Sequence, residues 1–189
     1  MLYDFCDDMR TDKNTSHSYI ELYQTLLSKK KETATCVLEV GIGPESLNGG
    51  SIMMWVNYFA NATVHALDIL PLERIPLDIR QHPRIHVHSP QNAYDLSFVT
   101  NRFEGVTFDL LLDDGPHTLE SMIFFVQHYS PLLKDDGILI IEDVQDISWT
   151  NDLRSATPLS LQPYITVYDR RSVKGRYDDI LFVIDKSGA

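Results

Sequence analysis

Seven short β-rich runs alternate with longer segments of helical character, and the last two runs lie too close together for a crossover helix between them. Alternation of this kind predicts an α/β fold with a mostly parallel seven-stranded sheet and an antiparallel final strand. The strands are expected at 35–41, 63–69, 84–88, 107–113, 137–143, 164–170 and 178–184. Between them, 51–60, 94–103 and 118–133 carry apolar residues at mixed three- and four-residue spacing, which makes each a helix with one buried face. SHSYIELYQTLLSKKK (16–31) reads as a further helix, capped by Ser16 or Ser18, with lysines at the end where the helix dipole favours cations. RSVKGRYD (171–178) is polar with one glycine, so the strands flanking it should pair antiparallel. LRSATPLSLQP (153–163) reads as a flexible loop.

At 189 residues and 43% hydrophobic, the chain can bury one substantial core, so 1–189 is expected to be a single domain. Sixteen lysines and arginines against 27 aspartates and glutamates leave a net charge of −11, which disfavours a nucleic-acid partner unless a local basic patch overrides it. No apolar run approaches the roughly 18 residues of a spanning helix, and the polar start lacks a signal-peptide layout. A soluble cytoplasmic protein with no membrane partner is expected. Cys6 and Cys36 show no metal-ligand spacing and are expected to be buried free thiols.

The first strand runs into EVGIGPESLNGGS (39–51) and then a helix. Glycines at such a turn let backbone approach a ligand closely, and the helix N-terminus offers free N–H groups. A dinucleotide fingerprint would need a third glycine where Ser46 stands. In its place are Glu39 just before Gly41 and Gly43, Ser51 at the helix start, and Asp68 closing the second strand with Ile69 beside it. A carboxylate at the position of Asp68 can accept both hydroxyls of a ribose.

LLLDDGPHTLE (110–120) ends a greasy strand in Asp113, Asp114 and His117, none of which a buried strand needs. The next strand ends in IIEDVQD (140–146), bringing Glu142 and Asp143. In an open α/β sheet the C-terminal ends of neighbouring strands share one crevice, so these acids should converge. Converging carboxylates repel unless a cation sits among them, and oxygen ligands suit a hard ion such as magnesium. His82, His86 and His88 lack a neighbouring ligand pattern and read as solvated or satisfied core histidines. Trp55, Tyr58 and Phe59 read as a helix face packed on the sheet, with Trp55 also able to border a ligand.

ExGxG after the first strand, an acid closing the second, DD closing the fourth and a final antiparallel hairpin resemble the class I S-adenosylmethionine-dependent methyltransferases. The resemblance implies a Rossmann-like fold with helices on both faces of the sheet. It also implies that Glu39, Gly41 and Gly43 line the methionine part of S-adenosylmethionine, with Asp68 on the ribose, Gln91 near the adenine and Asp113 on the amino group. TDKNTSHSYIELY (11–23), EVGIGPESLNGGSIMMW (39–55), DDGPH (113–117) and IEDV (141–144) are more specifically similar to the macrocin and mycinamicin sugar O-methyltransferases, which need magnesium. By that likeness Asp114, Glu142 and Asp143 bind Mg²⁺, His117 is the general base that takes a proton from the acceptor hydroxyl, and residues 1–31 cover the cofactor and substrate. Pro116 stands where a small polar residue is expected, and the chain has no room for the auxiliary N-terminal domain of some relatives.

The acceptor stays open: a sugar on a natural product, a glycan, a phenol or a lipid all present a hydroxyl, and a homo-oligomer is compatible with the sequence. An RNA cap 2′-O-methyltransferase could be assembled from Lys13, Asp113, Lys174 and Glu142, although the net charge and the additional acids argue against it. A non-catalytic S-adenosylmethionine-binding module is the third alternative.

Overall fold

The computed structural model describes residues 1–43 and 48–188; Ser46, where a third glycine is missing, lies outside them. Two compact units divide the chain, Met1–Ala93 and Tyr94–Ala189.

The first unit contains α1 (Tyr19–Leu27), β1 (Cys36–Val40), α2 (Gly50–Tyr58), β2 (Thr63–Leu67), α3 (Leu77–Arg80) and β3 (Ile85–His88). Its three strands are parallel, with Val40 opposite Leu67 and Leu67 opposite His88, so β1 and β2 end side by side. The apolar residues of α1 recur at three- and four-residue spacing, which buries Tyr19, Leu22, Tyr23 and Leu26 together. Tyr23 meets Trp55 of α2 at 5.7 Å between ring centroids, and Trp55 stacks on Phe59 at 6.1 Å. These rings are fully enclosed, as are Val37 and Leu38 of β1.

The second unit contains α4 (Leu96–Arg102), β4 (Phe108–Asp113), α5 (Leu119–Tyr129), β5 (Leu133–Ile141), α6 (Trp149–Ala156), β6 (Ile165–Asp169), α7 (Arg171–Lys174) and β7 (Ile180–Asp185). β4 and β5 are parallel, with Asp113 opposite Ile141, while β7 is antiparallel to both β5 and β6. Phe103, Phe125 and Tyr129 fill the core beside β4, whose six residues are all buried. Helix α5 starts on a capping box in which Thr118 Oγ1 accepts the Ser121 N–H and Ser121 Oγ accepts the Thr118 N–H. The strand order is β3-β2-β1 in the first unit and β4-β5-β7-β6 in the second.

Every expected strand is present, with shifted ends. β5 begins at Leu133 because Phe108 pairs with it before a register shift, and Lys134 Nζ reaches the buried Asp109 carboxylate at 2.7 Å. The segment 153–163 is not a loop throughout: α6 covers its first residues, anchored by the fully buried Leu153 and packed on α5. One buried apolar residue per helix is too weak a pattern to read in sequence. Helix α7 was likewise unforeseen; Gly175, at φ 76°, ends it in the left-handed region. Cys6 and Cys36 are free thiols but half-buried rather than buried. Burial, with a hydrogen bond to Asp8, pushes the Cys6 thiol up to about 12. Among the described residues no helix is long and apolar enough to cross a membrane.

Candidate active site

The glycine turn follows β1 in the first unit. Gly41 and Gly43 sit at φ 95° and 97°, a region closed to most side chains, which explains why glycine is needed at both. Asp68, just past β2, holds this turn: its Oδ2 accepts the Ile42 N–H and its Oδ1 the Leu70 N–H, both at 2.8 Å. The Gln91 N–H donates to the Asp68 carbonyl at 2.9 Å, and Ile69 is 73% exposed beside them. Asp68, Ile69 and Gln91 are therefore brought to one place at the ends of adjacent strands. A carboxylate has roughly four acceptor positions, so Asp68 keeps capacity for a ligand hydroxyl.

Glu39 and Ser51, both expected on the ligand, are enclosed. Glu39 is fully buried; its carboxylate accepts from Ser51 Oγ at 2.8 Å and Trp55 Nε1 at 2.5 Å, and Lys13 Nζ lies 3.5 Å away. Glu39 thus ties α2 and the N-terminal segment to β1. Glu39→Ala removes the counter-charge of a buried lysine and the acceptor of two donors, and is expected to lower the unfolding free energy by about 3–5 kcal/mol in urea denaturation. A loss under about 1 kcal/mol would reduce this network to the worth of a surface pair. Lys13 was seen in the sequence only as a member of the RNA-type set; Lys174, also of that set, lies exposed on α7. His88 Nε2 lies 2.9 Å from His65 Nδ1, a satisfied histidine of the kind expected.

The acidic cluster belongs to the second unit. Parallel pairing brings the exits of β4 and β5 together, and the Glu142 N–H donates to the Asp113 carbonyl at 3.1 Å. His117 Nε2 lies 3.7 Å from Asp114 Oδ1 and 3.6 Å from Asp143 Oδ2, and ligand atoms of the three residues all fall within 4.8 Å of one another. Two carboxylates at this spacing fit a divalent cation, with the imidazole beside them. Glu142 is 1% exposed and stands outside that trio. Among the described residues, the non-glycine positions with positive φ are His117 at 53° and Asp143 at 52°. Such backbone costs on the order of 1–3 kcal/mol per residue and clusters where geometry matters more than stability. Sequence gave no sign of it.

Asp113 points inward. The Tyr94 hydroxyl donates to its Oδ1 at 2.5 Å, while Oδ2 is enclosed with no hydrogen-bond partner among the described residues. Burial pushes this carboxyl up to about 7, against the pull of the Tyr94 bond and with help from neighbouring Asp114. Tyr94 had no distinguishing signal in the sequence.

The strand order, with β7 inserted antiparallel, and the glycine turn after β1 define the Rossmann-like fold of the class I S-adenosylmethionine-dependent methyltransferases. The relatives of the chain are sugar O-methyltransferases. It is 26% identical over 147 residues to the 8-demethyl-8-alpha-L-rhamnosyl tetracenomycin-C 2'-O-methyltransferase of Streptomyces olivaceus, covering 74% of this chain and 36% of that protein. It is 30% identical over 119 residues to the mycinamicin VI 2''-O-methyltransferase of Micromonospora griseorubida, covering 60% and 28%. A solved structure of the MycE methyltransferase from the mycinamycin biosynthetic pathway, in complex with Mg, SAH and mycinamycin VI, superposes with a TM-score of 0.73 at 20% identity. That superposition covers 97% of this chain and 54% of that one. The chain spans about a third of the length of the curated relatives it matches. No family model matches it.

Proposed function

We propose that this chain is a magnesium-dependent O-methyltransferase that transfers the methyl group of S-adenosylmethionine to a hydroxyl of a small molecule, foremost a sugar on a natural product. The trio Asp114, His117 and Asp143 at the exits of adjacent strands carries this proposal. The sugar acceptors in the relatives' names and the Mg and SAH in the similar structure support it. Residues 1–189 would act as one catalytic domain in the cytoplasm, where the methyl donor is a dissolved metabolite.

The ion would be held by Asp114 and Asp143, with Glu142 supplying a further carboxylate; bound there, magnesium lowers the pKa of an acceptor hydroxyl and fixes its position. The methyl donor would rest on Gly41 and Gly43, with Asp68 accepting from its ribose and Ile69 and Gln91 flanking its base; it supplies an activated methyl group. His117 takes the acceptor's proton, since imidazole is the side chain that changes charge nearest neutral pH. His117 Nε2 lies 3.7 Å from Asp114 Oδ1 and 3.6 Å from Asp143 Oδ2, beside the carboxylates that would hold the ion. In this scheme Asp113, which ends β4, would take the donor's amino group.

Incubating the protein with S-adenosylmethionine, magnesium and a panel of deoxysugar glycosides, with and without a chelator, tests this. S-adenosylhomocysteine should form with at least one glycoside and cease on chelation. Turnover that survives the chelator would remove the metal; no turnover over sugars, phenols and capped RNA alike would favour a module that binds the donor without transfer.

A further inference from the structure

The turn Asp113–His117 connects a buried strand to α5, and it carries two members of the acidic trio. Asp113 closes β4 at 3% exposure. Tyr94 lies 19 residues earlier in the chain and donates its hydroxyl to Asp113 Oδ1. Its ring meets Phe124 of α5 edge to face, at 5.9 Å and 81°. The contact with the turn is tight enough to exclude a side chain at the next position but one. A Cβ on Gly115 would come within 2.0 Å of Tyr94 Oη, and 3.0 Å of Asp113 Oδ1. Once that oxygen is removed, the nearest tyrosine ring atom is Cζ, at 3.1 Å. Burial and Asp113 both raise the Tyr94 phenol, so it stays a donor.

We propose that Tyr94 is a positioning residue: its hydroxyl clamps Asp113, and through it the 113–117 turn, so that Asp114 and His117 are held beside Asp143 before any ligand arrives. Its chemical consequence rests on the metal-dependent reading above; the clamp itself does not. The Asp113 oxygen that accepts this bond is enclosed, so no water replaces the donor when it is removed. Without it, Asp113 has lost its one side-chain donor and the turn is free to relax toward ordinary backbone angles at His117. Groups that orient a metal's ligands typically change its affinity by about 10–100-fold.

Tyr94→Phe keeps the ring and its packing on Phe124, and three measurements on it decide the matter. Magnesium titrated into the protein should bind about tenfold more weakly than in the wild type. On a working acceptor at saturating S-adenosylmethionine, kcat should fall by a similar factor and be partly recovered by added magnesium, a rescue that general destabilisation would not produce. In the ion-free protein, the His117 ring cross-peaks in a ¹H–¹³C spectrum should move. Gly115→Ala should be better tolerated in the Tyr94→Phe background than in the wild type, since the colliding oxygen is gone. Unmoved His117 cross-peaks with equal tolerance of Gly115→Ala in both backgrounds would overturn the clamp. If the wild type bound no magnesium, the metal reading would fail, and the spectra and the Gly115→Ala comparison would still decide for or against Tyr94.

Discussion

Asp114→Ala is expected to reduce methyl transfer by at least about 10³-fold, because an ion-held acceptor loses several kcal/mol of stabilisation with it. The residue follows β4 directly, is only partly exposed, and has Oδ1 3.7 Å from His117 Nε2. Its removal takes away one carboxylate of the trio and half of the negative surroundings of the imidazole. Asp114→Asn, with the same volume and a neutral acceptor, should lose nearly as much, which separates charge from packing. Affinity for S-adenosylhomocysteine, measured by calorimetry without metal, should stay within about threefold, since Asp68 is held by the Ile42 and Leu70 N–H groups of the first unit. A variant retaining a tenth or more of the wild-type rate would take Asp114 out of the mechanism.

For His117 the informative substitution is asparagine. At φ 53°, alanine would add backbone strain to the loss of the base, whereas asparagine tolerates the left-handed region. His117→Asn should lower kcat by about 10²–10⁴-fold, the usual worth of a positioned general base. Magnesium affinity should change far less than in Asp114→Ala, and added imidazole should restore part of the rate. If His117→Asn lost the metal as completely as Asp114→Ala does, the histidine would be a ligand and another group would have to take the proton.

Much of this was legible in the residues. The strands could be read because greasy runs such as TFDLLLD and GILIIED have sharp polar ends, and the acids at those ends are out of place in a purely structural strand. Parallel pairing of β4 with β5 then brings Asp114 and Asp143 together, as strand-end residues of neighbouring parallel strands must be. What could not be read is how individual side chains are spent. Glu39 fits the family pattern by position, yet its carboxylate is consumed inside by Ser51, Trp55 and Lys13, contacts set by the packing of α2 and the N-terminal segment. The same holds for Tyr94, whose partner lies on another element. Helix α6 escaped notice because Leu153 alone carries its buried face. Positive φ at His117 and Asp143 could not be read from residue type: aspartate and histidine enter the left-handed region more often than most residues, yet adopt ordinary angles at most positions.

The proposed chemistry stands on acids from β4 and β5 sharing one divalent ion. Calorimetric titration of magnesium into the protein saturated with S-adenosylhomocysteine puts that to the test. A single saturable site should appear in the wild type and disappear in both Asp114→Ala and Asp143→Ala. No heat in the wild type, or an isotherm that either variant leaves unchanged, would contradict it.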